Sequence, residues 1–317
     1  MYSEEINKRL IETQYEIAYD KKAGKKVRDR ICSQKSKAFK ILSYHKGNSN
    51  ENDKNFFNES KLCLTDDIEK HNSKICCHRG CYYDAFLTNI CSTRQYYITD
   101  DMKMFFDGYN ELFPINKDKT IKSISDSNID NQIGISTIGL TTDNYLVIWI
   151  QNGHNIGENG KASPSGSGSC DWADRKHGQT FNEIIEYAMQ RELWEESGKT
   201  KVCNSVEQLG KTKLIGYYRW IEKGGKPEFL GVSRINFERK KLEANTDEVF
   251  DSGFDGLHFD NRKELIGIIE KLMKEGKYKE YKISLPLYMN LKCLYDYLST
   301  NNAEEQKRDT FLFSEDN

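Results

Sequence analysis

The stretch Gly178–Lys199 reads GQTFNEIIEYAMQRELWEESGK and is the most informative part of this chain. At about 100° per residue, its apolar side chains fall on one side of a helical wheel. They are Phe181, Ile184, Ile185 and Ala188. A single apolar stripe predicts an amphipathic helix that packs this stripe against a core.

Three carboxylates continue the same stripe one or two turns further on: Glu192, Glu195 and Glu196. Carboxylates that face inward repel one another and lose hydration, so something must compensate them. A hard divalent cation does so, and Mg²⁺ or Mn²⁺ fits best because no His or Cys shares the stripe. The wheel alone leaves a second interpretation open, in which the helix leaves the core after Ala188 and all three acids are solvated.

The spacing of these acids adds to the argument. Residues Arg191–Gly198, RELWEESG, match the pattern REUxEExGU, and Glu183 lies eight residues before Arg191. This is the heart of the Nudix box, and the chain resembles the Nudix hydrolases over about residues 131–275. Two positions depart from the box. His177 stands where the family has its opening glycine, with Gly178 one residue later, and Lys199 replaces an aliphatic residue.

The resemblance implies an α/β fold, the Nudix α/β/α sandwich, with an N-terminal mixed, partly helical extension. It also implies metal-dependent hydrolysis of the diphosphate linkage in a nucleoside diphosphate derivative. Glu192, Glu195 and Glu196 would be the metal ligands. Arg191 would orient them, with Glu183 in the same network, and Gly178 and Gly198 would support the ends of the helix. Two other functions remain open: a module that binds a nucleotide without cleaving it, and an RNA decapping factor.

The general base differs among Nudix enzymes: it is either a box glutamate, such as Glu192 or Glu195, or an acid from a loop outside the box. The loop ERKKLEANTDEVFDSGF contains the acids Glu243, Asp247 and Glu248. Glu248 is the first choice for an additional metal ligand or the base, and an ordinary surface acid is the alternative interpretation. A small nucleotide substrate would stack its base on aromatic side chains, and Tyr218 and Trp172 are the candidates. Each of these two aromatics is also suited to a place in the core.

Around the box, runs rich in β-favouring residues predict strands, and two further segments predict helices. The predicted strands are 133–140, 145–151, 214–221 and 229–237, and the predicted helices are 261–276 and 285–298. The Gly- and Ser-rich segment 164–169 precedes the box and allows close backbone approach. We place a domain boundary in the polar stretch 116–131, which gives an N-terminal region 1–130 of unknown role and a Nudix domain 131–317.

Residues 1–46 are predicted to be helical, and Lys21–Lys46 contains ten Lys and Arg residues. This stretch is either a solvated helix face or a contact for RNA or another polyanion. We predict that cleavage of small nucleotides does not need it. The N-terminal region as a whole is suited to substrate selection or to formation of a homodimer.

Nine cysteines are scattered along the chain, an odd number that favours free thiols over a disulfide framework. One cluster contains Cys76, Cys77, Cys81 and Cys91. With His78 or His71 it could bind zinc, but the paired CxxC motifs of a zinc site are missing, and core packing is the favoured interpretation.

Composition excludes several classes of protein. The 317 residues carry a net charge of −2, which excludes a globally basic nucleic-acid binder. No run of about 20 apolar residues is present, so we expect no membrane partner. The N-terminus MYSEEINKRL lacks the apolar core of a signal peptide, and we expect a cytoplasmic protein.

Overall fold

The computed structural model describes residues 2–48, 58–68, 73–98, 102–152, 160–299 and 310–313. Within these ranges the strands are β1 Glu16–Tyr19, β2 Ser60–Leu64, β3 Lys74–Cys81, β4 Gln95–Tyr97, β5 Met104–Asp107, β6 Gly134–Leu140, β7 Trp149–Gln151, β8 Ala162–Ser163, β9 Gly166–Ser169, β10 Gly210–Trp220, β11 Lys226–Ile235, β12 Val249–Phe250, β13 Lys277–Tyr278 and β14 Tyr281–Lys282. The α-helices are α1 Glu4–Glu12, α2 Ala23–Ser33, α3 Lys35–Asn48, α4 Tyr82–Ala85, α5 Gly108–Glu111, α6 Phe181–Glu196, α7 Val206–Leu209, α8 Arg262–Glu275 and α9 Leu285–Ser299. The fold is mixed α/β.

The central sheet has four strands in the order β10–β11–β6–β9. Its inner pair, β11 and β6, is parallel, and both outer pairs are antiparallel. Because successive side chains of a strand point to opposite faces, Phe229 and Leu230 belong to two different cores. Helix α6 covers one face, α9 covers the other, and α8 packs on α9. The layers are therefore helix, sheet and helix, as expected from the sequence.

A second antiparallel sheet, β12–β7–β8, carries the loop that follows β11. Asn152, next to the end of β7, donates its backbone N–H to the carbonyl of Glu248 over 2.9 Å. This bond holds the Glu248 loop beside the central sheet.

Residues 1–46 are not wholly helical, so the prediction for that stretch was wrong, whereas the N-terminal region as a whole is mixed and partly helical as expected. Residues Glu16–Tyr19 form β1, which runs parallel to β3, and β2 pairs with the other edge of β3. The extended conformation of this segment is set by its pairing with the distant strand β3 and not by its local helical preference. Helix α1 packs against β10, the edge strand of the central sheet.

The core crosses the boundary predicted near residue 131. Leu62 donates its N–H to the carbonyl of Cys170 over 2.9 Å, and its own carbonyl accepts from the N–H of Ile133 over 3.0 Å. The core under α6 also contains apolar residues from the N-terminal region: Ile6, Leu10, Tyr15, Leu62, Leu64, Ile68, Ile75 and Cys77. Residues 1–130 thus help to build the domain that carries the box, whatever separate role they have.

A smaller hydrophobic cluster lies within the N-terminal region, around α3, β5 and the π-helical turn Phe86–Ile90.

None of the helices in the described ranges is long and apolar enough to cross a bilayer.

Candidate active site

The start of α6 is fixed by a capping box. The hydroxyl of Thr180 accepts from the N–H of Glu183, and the Glu183 carboxylate accepts from the N–H groups of Thr180 and Gln179. The expected role of Glu183 in the network of Arg191 was therefore wrong. Eight residues of helix separate their backbones by roughly 12 Å, and the exposed Glu183 side chain folds back on its own helix terminus.

The two glycines of the box have different structural roles. Gly198 ends α6 in the left-handed conformation, with φ of +105°, which a glycine adopts without strain. Gly178 lies against the first turn, where a Cβ would come within 2.7 Å of Glu183. His177, at the position of the family's opening glycine, stacks on Tyr187 at 3.9 Å between ring centroids.

Strand β9 lies directly against the acidic end of α6. A Cβ on Gly168 would fall 2.4 Å from the carboxyl carbon of Glu192. Only a glycine leaves room for this carboxylate between helix and strand. The Gly- and Ser-rich segment predicted before the box thus forms one wall of the site.

Arg191 is the centre of the charged network. Its Nε and Nη2 donate to the two carboxylate oxygens of Asp174, each over 3.0 Å, in a bidentate pair. Nη2 also donates to the carbonyl of Ser169, and Nη1 donates to Glu192 over 2.9 Å and lies 3.7 Å from Glu195. Because Asp174 is itself only 3% exposed, the guanidinium is held in one place from which it orients two box acids.

Glu196 is the most buried of the three box acids, at 2% exposure. Its Oε1 accepts from the N–H of Ser167 on β9 over 3.2 Å, and its Oε2 is buried with no hydrogen-bond partner. Burial, together with the charges of Glu192 and Glu248, raises the pKa of Glu196 well above its usual value. A buried carboxylate oxygen without a donor is suited to a cation.

Glu192 lies between the strand and the guanidinium, with its side chain 12% exposed. Burial raises the pKa of Glu192 to about 7, although Arg191 opposes this shift and Glu195 adds to it. The helix therefore does not leave the core after Ala188, and the interpretation with three solvated acids was wrong. Glu195, with 28% of its side chain exposed, lies at the open margin.

The three box carboxylates do not converge on one point. Among the described residues, a single group of three potential ligand side chains has all its ligand atoms within 4.8 Å of one another, and the box acids are not in it. Arg191 holds Glu192 and Glu195, whereas Glu196 is bonded to β9. Their joint ligation of a metal stays a prediction.

Glu248 faces the box from the loop after β11. Its charge contributes to the raised pKa of Glu196, and its own pKa is raised by burial and then by the charge of Glu195. The two other acids proposed for this loop are exposed; Glu243 pairs with Lys201 over 3.1 Å. Of the three, Glu248 is the acid that is coupled to the box.

Lys61 is a component that the sequence did not indicate. Its ammonium group, with 11% of the side chain exposed, pairs with Glu59 over 2.7 Å and with Asp171. Asp171 lies 3.6 Å from Arg191, and the charge of Lys61 lowers the pKa of Glu192. A residue of the N-terminal region is thus part of the electrostatics of the site. Local sequence carries no signal for it, because strand pairing brings β2 there.

The two aromatic residues proposed to bind substrate have different environments. Tyr218 is 2% exposed in the core between the sheet and α9, on the face of the sheet opposite to α6. Base stacking by Tyr218 was therefore a wrong expectation. Trp172 is partly buried near the box, with Arg175 over its ring at 4.5 Å and the edge of Tyr19 at 5.4 Å. It remains a prediction as a substrate contact.

The cysteine cluster does not assemble as one site. Cys76 and Cys77 point to opposite sides of β3; Cys77 belongs to the core under α6, and Cys91 packs in the smaller N-terminal cluster. His71 lies outside the described residues. His78 instead meets Cys63, on β2, and Asp130.

The basic stretch Lys21–Lys46 divides into two groups. Arg30 donates to the carbonyls of Glu111 and Asn128, and Lys37 pairs with Glu111 over 2.7 Å. Four lysines on or next to α2 are exposed: Lys21, Lys22, Lys25 and Lys26. A polyanion contact at these lysines stays a prediction.

No family model matches the chain, and no curated protein matches it. Two solved structures are similar to it over nearly all of their own chains. The MutT protein from Methanosarcina mazei Go1 is 12% identical with a TM-score of 0.34, covering 54% of this chain and 96% of its own. DR0079 from Deinococcus radiodurans is 13% identical with a TM-score of 0.34, covering 58% of this chain and 98% of its own. Similarity at this level carries no argument about function, and the resemblance to the Nudix hydrolases rests on the box residues and the geometry around α6.

Proposed function

We propose that this protein hydrolyses the diphosphate linkage of a nucleoside diphosphate derivative in a metal-dependent reaction. The observation that carries the proposal is Glu196. It lies at the box position of a metal ligand, is buried between α6 and β9, and has an oxygen without a hydrogen-bond donor. A protein that used this helix only for packing would gain nothing from two buried acids with raised pKa values.

The residues present fit a hard divalent cation. Glu192 and Glu196 would be the inner ligands, and Glu195 at the open margin would be the third. Oxygen ligands alone suit Mg²⁺ or Mn²⁺. When bound, such an ion neutralises phosphate oxygens and makes a water molecule more acidic.

The remaining groups have roles that follow from their positions. Arg191, held by Asp174, would keep Glu192 and Glu195 in place. Lys61 pairs with Asp171, which lies 3.6 Å from Arg191 and adds to this charged network. Water attacks one phosphorus, a new P–O bond forms, and the bridging P–O bond breaks as the other phosphate leaves. Glu248 would take the proton from the attacking water, since burial and then the charge of Glu195 raise its pKa and make it a stronger base than an ordinary carboxylate.

A panel of substrates tests this proposal. The full chain is incubated with nucleotide sugars, dinucleotides, nucleoside triphosphates and capped RNA, each with Mg²⁺ or Mn²⁺, in ¹⁸O-labelled water. We expect a nucleoside monophosphate product from at least one class, and one ¹⁸O atom in one of the two phosphate products. Tight binding of a panel nucleotide without cleavage in either metal would favour the nucleotide-binding module instead.

A further inference from the structure

A second group of potential metal ligands lies away from the box. Cys63 on β2 and His78 on β3 are directly opposite each other in the strand register, and Asp130 lies just before β6. Their exposures are 0%, 3% and 0%. Their sulfur, nitrogen and oxygen atoms lie within 4.8 Å of one another, which no other group of three such side chains among the described residues achieves.

Hydrogen bonds satisfy only part of this group. The Cys63 thiol donates to Oδ2 of Asp130 over 3.0 Å. Nε2 of His78 and Oδ1 of Asp130 are 3.4 Å apart, and both are buried without a hydrogen-bond partner. Leaving a carboxylate oxygen and an imidazole nitrogen in this state costs free energy that a shared cation would recover.

The donor set and its spacing suit zinc. Zn²⁺ binds thiolate, imidazole and carboxylate in tetrahedral sites, with bonds of about 2.0–2.3 Å. Such bonds place ligand atoms about 3.3–3.5 Å from one another. The sulfur of Cys63 lies 3.0 Å from Oδ2 of Asp130, and Nε2 of His78 lies 3.4 Å from Oδ1 of the same carboxylate. One ligand atom of each residue lies within 4.8 Å of the other two, so the three side chains surround one small space. Cys63 is a free, buried cysteine, so its sulfur forms no disulfide.

The surroundings orient the group. Thr65 Oγ1 lies 3.0 Å from Nδ1 of His78, which directs Nε2 towards Asp130, as outer partners do in zinc sites. At Gly80 a Cβ would fall 2.5 Å from Asp130 and 2.6 Å from the Cys63 sulfur, so glycine keeps this space open.

We propose that Cys63, His78 and Asp130 bind one structural Zn²⁺. The ion joins β2, β3 and the segment that leads into β6. Because Lys61 lies two residues before Cys63 on β2, the zinc site holds the strand that delivers Lys61 to Asp171. It is separate from the proposed hydrolytic metal, and it does not depend on the proposed function.

The first test measures metal in the full chain, produced with added zinc and purified without chelators. We expect about one zinc per chain after desalting, because a closed site of this kind retains its ion. Replacement of zinc by Co²⁺ should give a thiolate-to-cobalt charge-transfer band, which oxygen ligation at the box acids cannot produce. A wild-type chain that retains no zinc, and gives no such band with Co²⁺, overturns the proposal.

Variants assign the ligands. Cys63→Ala should abolish the band and the retained zinc, and His78→Gln should lower the zinc content at least tenfold. Cys77→Ala is the matched control, because Cys77 is an equally buried thiol next to His78 that points away from the group. Loss of zinc in Cys77→Ala equal to that in Cys63→Ala would contradict the assignment. If Cys63→Ala does not fold, His78→Gln and Cys77→Ala decide together with the cobalt spectrum of the wild type: the band should be lost in the first variant and kept in the second. Glu196→Gln should keep its zinc.

Discussion

Arg191 and Asp174 form a bidentate pair, with two hydrogen bonds of 3.0 Å each, on the buried side of the candidate site. The guanidinium also contacts Glu192 and Glu195, so Asp174 fixes two box acids through Arg191. Asp174 is a positioning residue, seventeen positions before Arg191 in the chain.

Replacement of Asp174 by Asn tests this relationship. The Asn side chain has one oxygen and no charge, so Arg191 loses the bidentate pair and moves towards Glu192. We expect kcat to fall roughly ten- to a hundredfold with little change in KM, as for other outer partners of metal ligands. Asp255→Asn, in a side chain that is 97% exposed, is the control. An unchanged kcat in a folded Asp174→Asn variant would argue against the positioning role.

Gly168→Ala tests the close contact between β9 and the box. The added methyl group would overlap the Glu192 carboxylate and displace it, so the affinity for Mn²⁺ should decrease at least tenfold. Gly267→Ala is the matched control, since nothing lies within 4 Å of its added Cβ on α8. That change should leave metal affinity intact and slightly stabilise the helix. Equal metal affinities in both variants would contradict the account of β9.

The raised pKa of Glu192 predicts a pH dependence of stability in the metal-free protein. A carboxyl with a folded-state pKa of about 7, against 4.5 in the unfolded chain, binds protons more tightly when folded. Its contribution to stability is therefore fully present below pH 4.5 and is lost as the pH rises through 7. The shift corresponds to on the order of 3 kcal/mol.

Glu192→Gln removes this titration. In urea denaturation with EDTA, the free energy of unfolding of the variant relative to wild type should increase from pH 4.5 to 7.5. Asp255→Asn, whose side chain is 97% exposed and lies 3.8 Å from Lys279, should show a constant difference from wild type, because a lysine keeps its charge over this pH range. If the difference in the free energy of unfolding between Glu192→Gln and wild type also stays constant with pH, burial does not hold the pKa of Glu192 near 7.

Two parts of the N-terminal region should differ in their effect on turnover. Lys61→Met keeps the length of the buried side chain but leaves Asp171 without its ammonium partner, and we expect a clear fall in kcat for a small nucleotide. Neutralising Lys21, Lys22, Lys25 and Lys26 should leave that turnover unchanged and weaken only the binding of a polyanion such as RNA. The salt dependence of RNA binding should then decrease by about one unit of slope per lost phosphate contact. The reverse pattern would place α2 in the active site.

The sequence was informative where the signal is local. Helical periodicity put Glu192 and Glu196 on the buried side of α6, and Gly198 was predicted to end the helix. The same periodicity could not reveal Lys61 or Asp171 as partners of the box. Lys61 reaches Asp171 because the backbone of β2 bonds to Cys170 and Ile133, which are far from it in the chain.

The failures have related physical causes. Tyr218 lies on a strand, where neighbouring residues face opposite sides, and the spacing from the box did not say which side it takes. His78 was considered as a zinc ligand, but its partners were sought along β3. Strand pairing instead brings it to Cys63 on β2. For His78 the missing information was the pairing of strands, and for Tyr218 it was the face of the sheet, neither of which a short stretch of sequence carries.

The central claim is that Glu196 binds the metal that hydrolysis requires. The direct measurement is the Mn²⁺ affinity and the Mg²⁺-dependent turnover of Glu196→Gln beside Glu186→Gln. Glu186 is the matched control, because it lies on the same helix, burial raises its pKa to about 7, and it bonds to the N–H of Leu214 outside the site. The account predicts that Glu196→Gln loses Mn²⁺ binding and turnover at saturating Mg²⁺ while Glu186→Gln keeps both. Full turnover in a folded Glu196→Gln variant would contradict it.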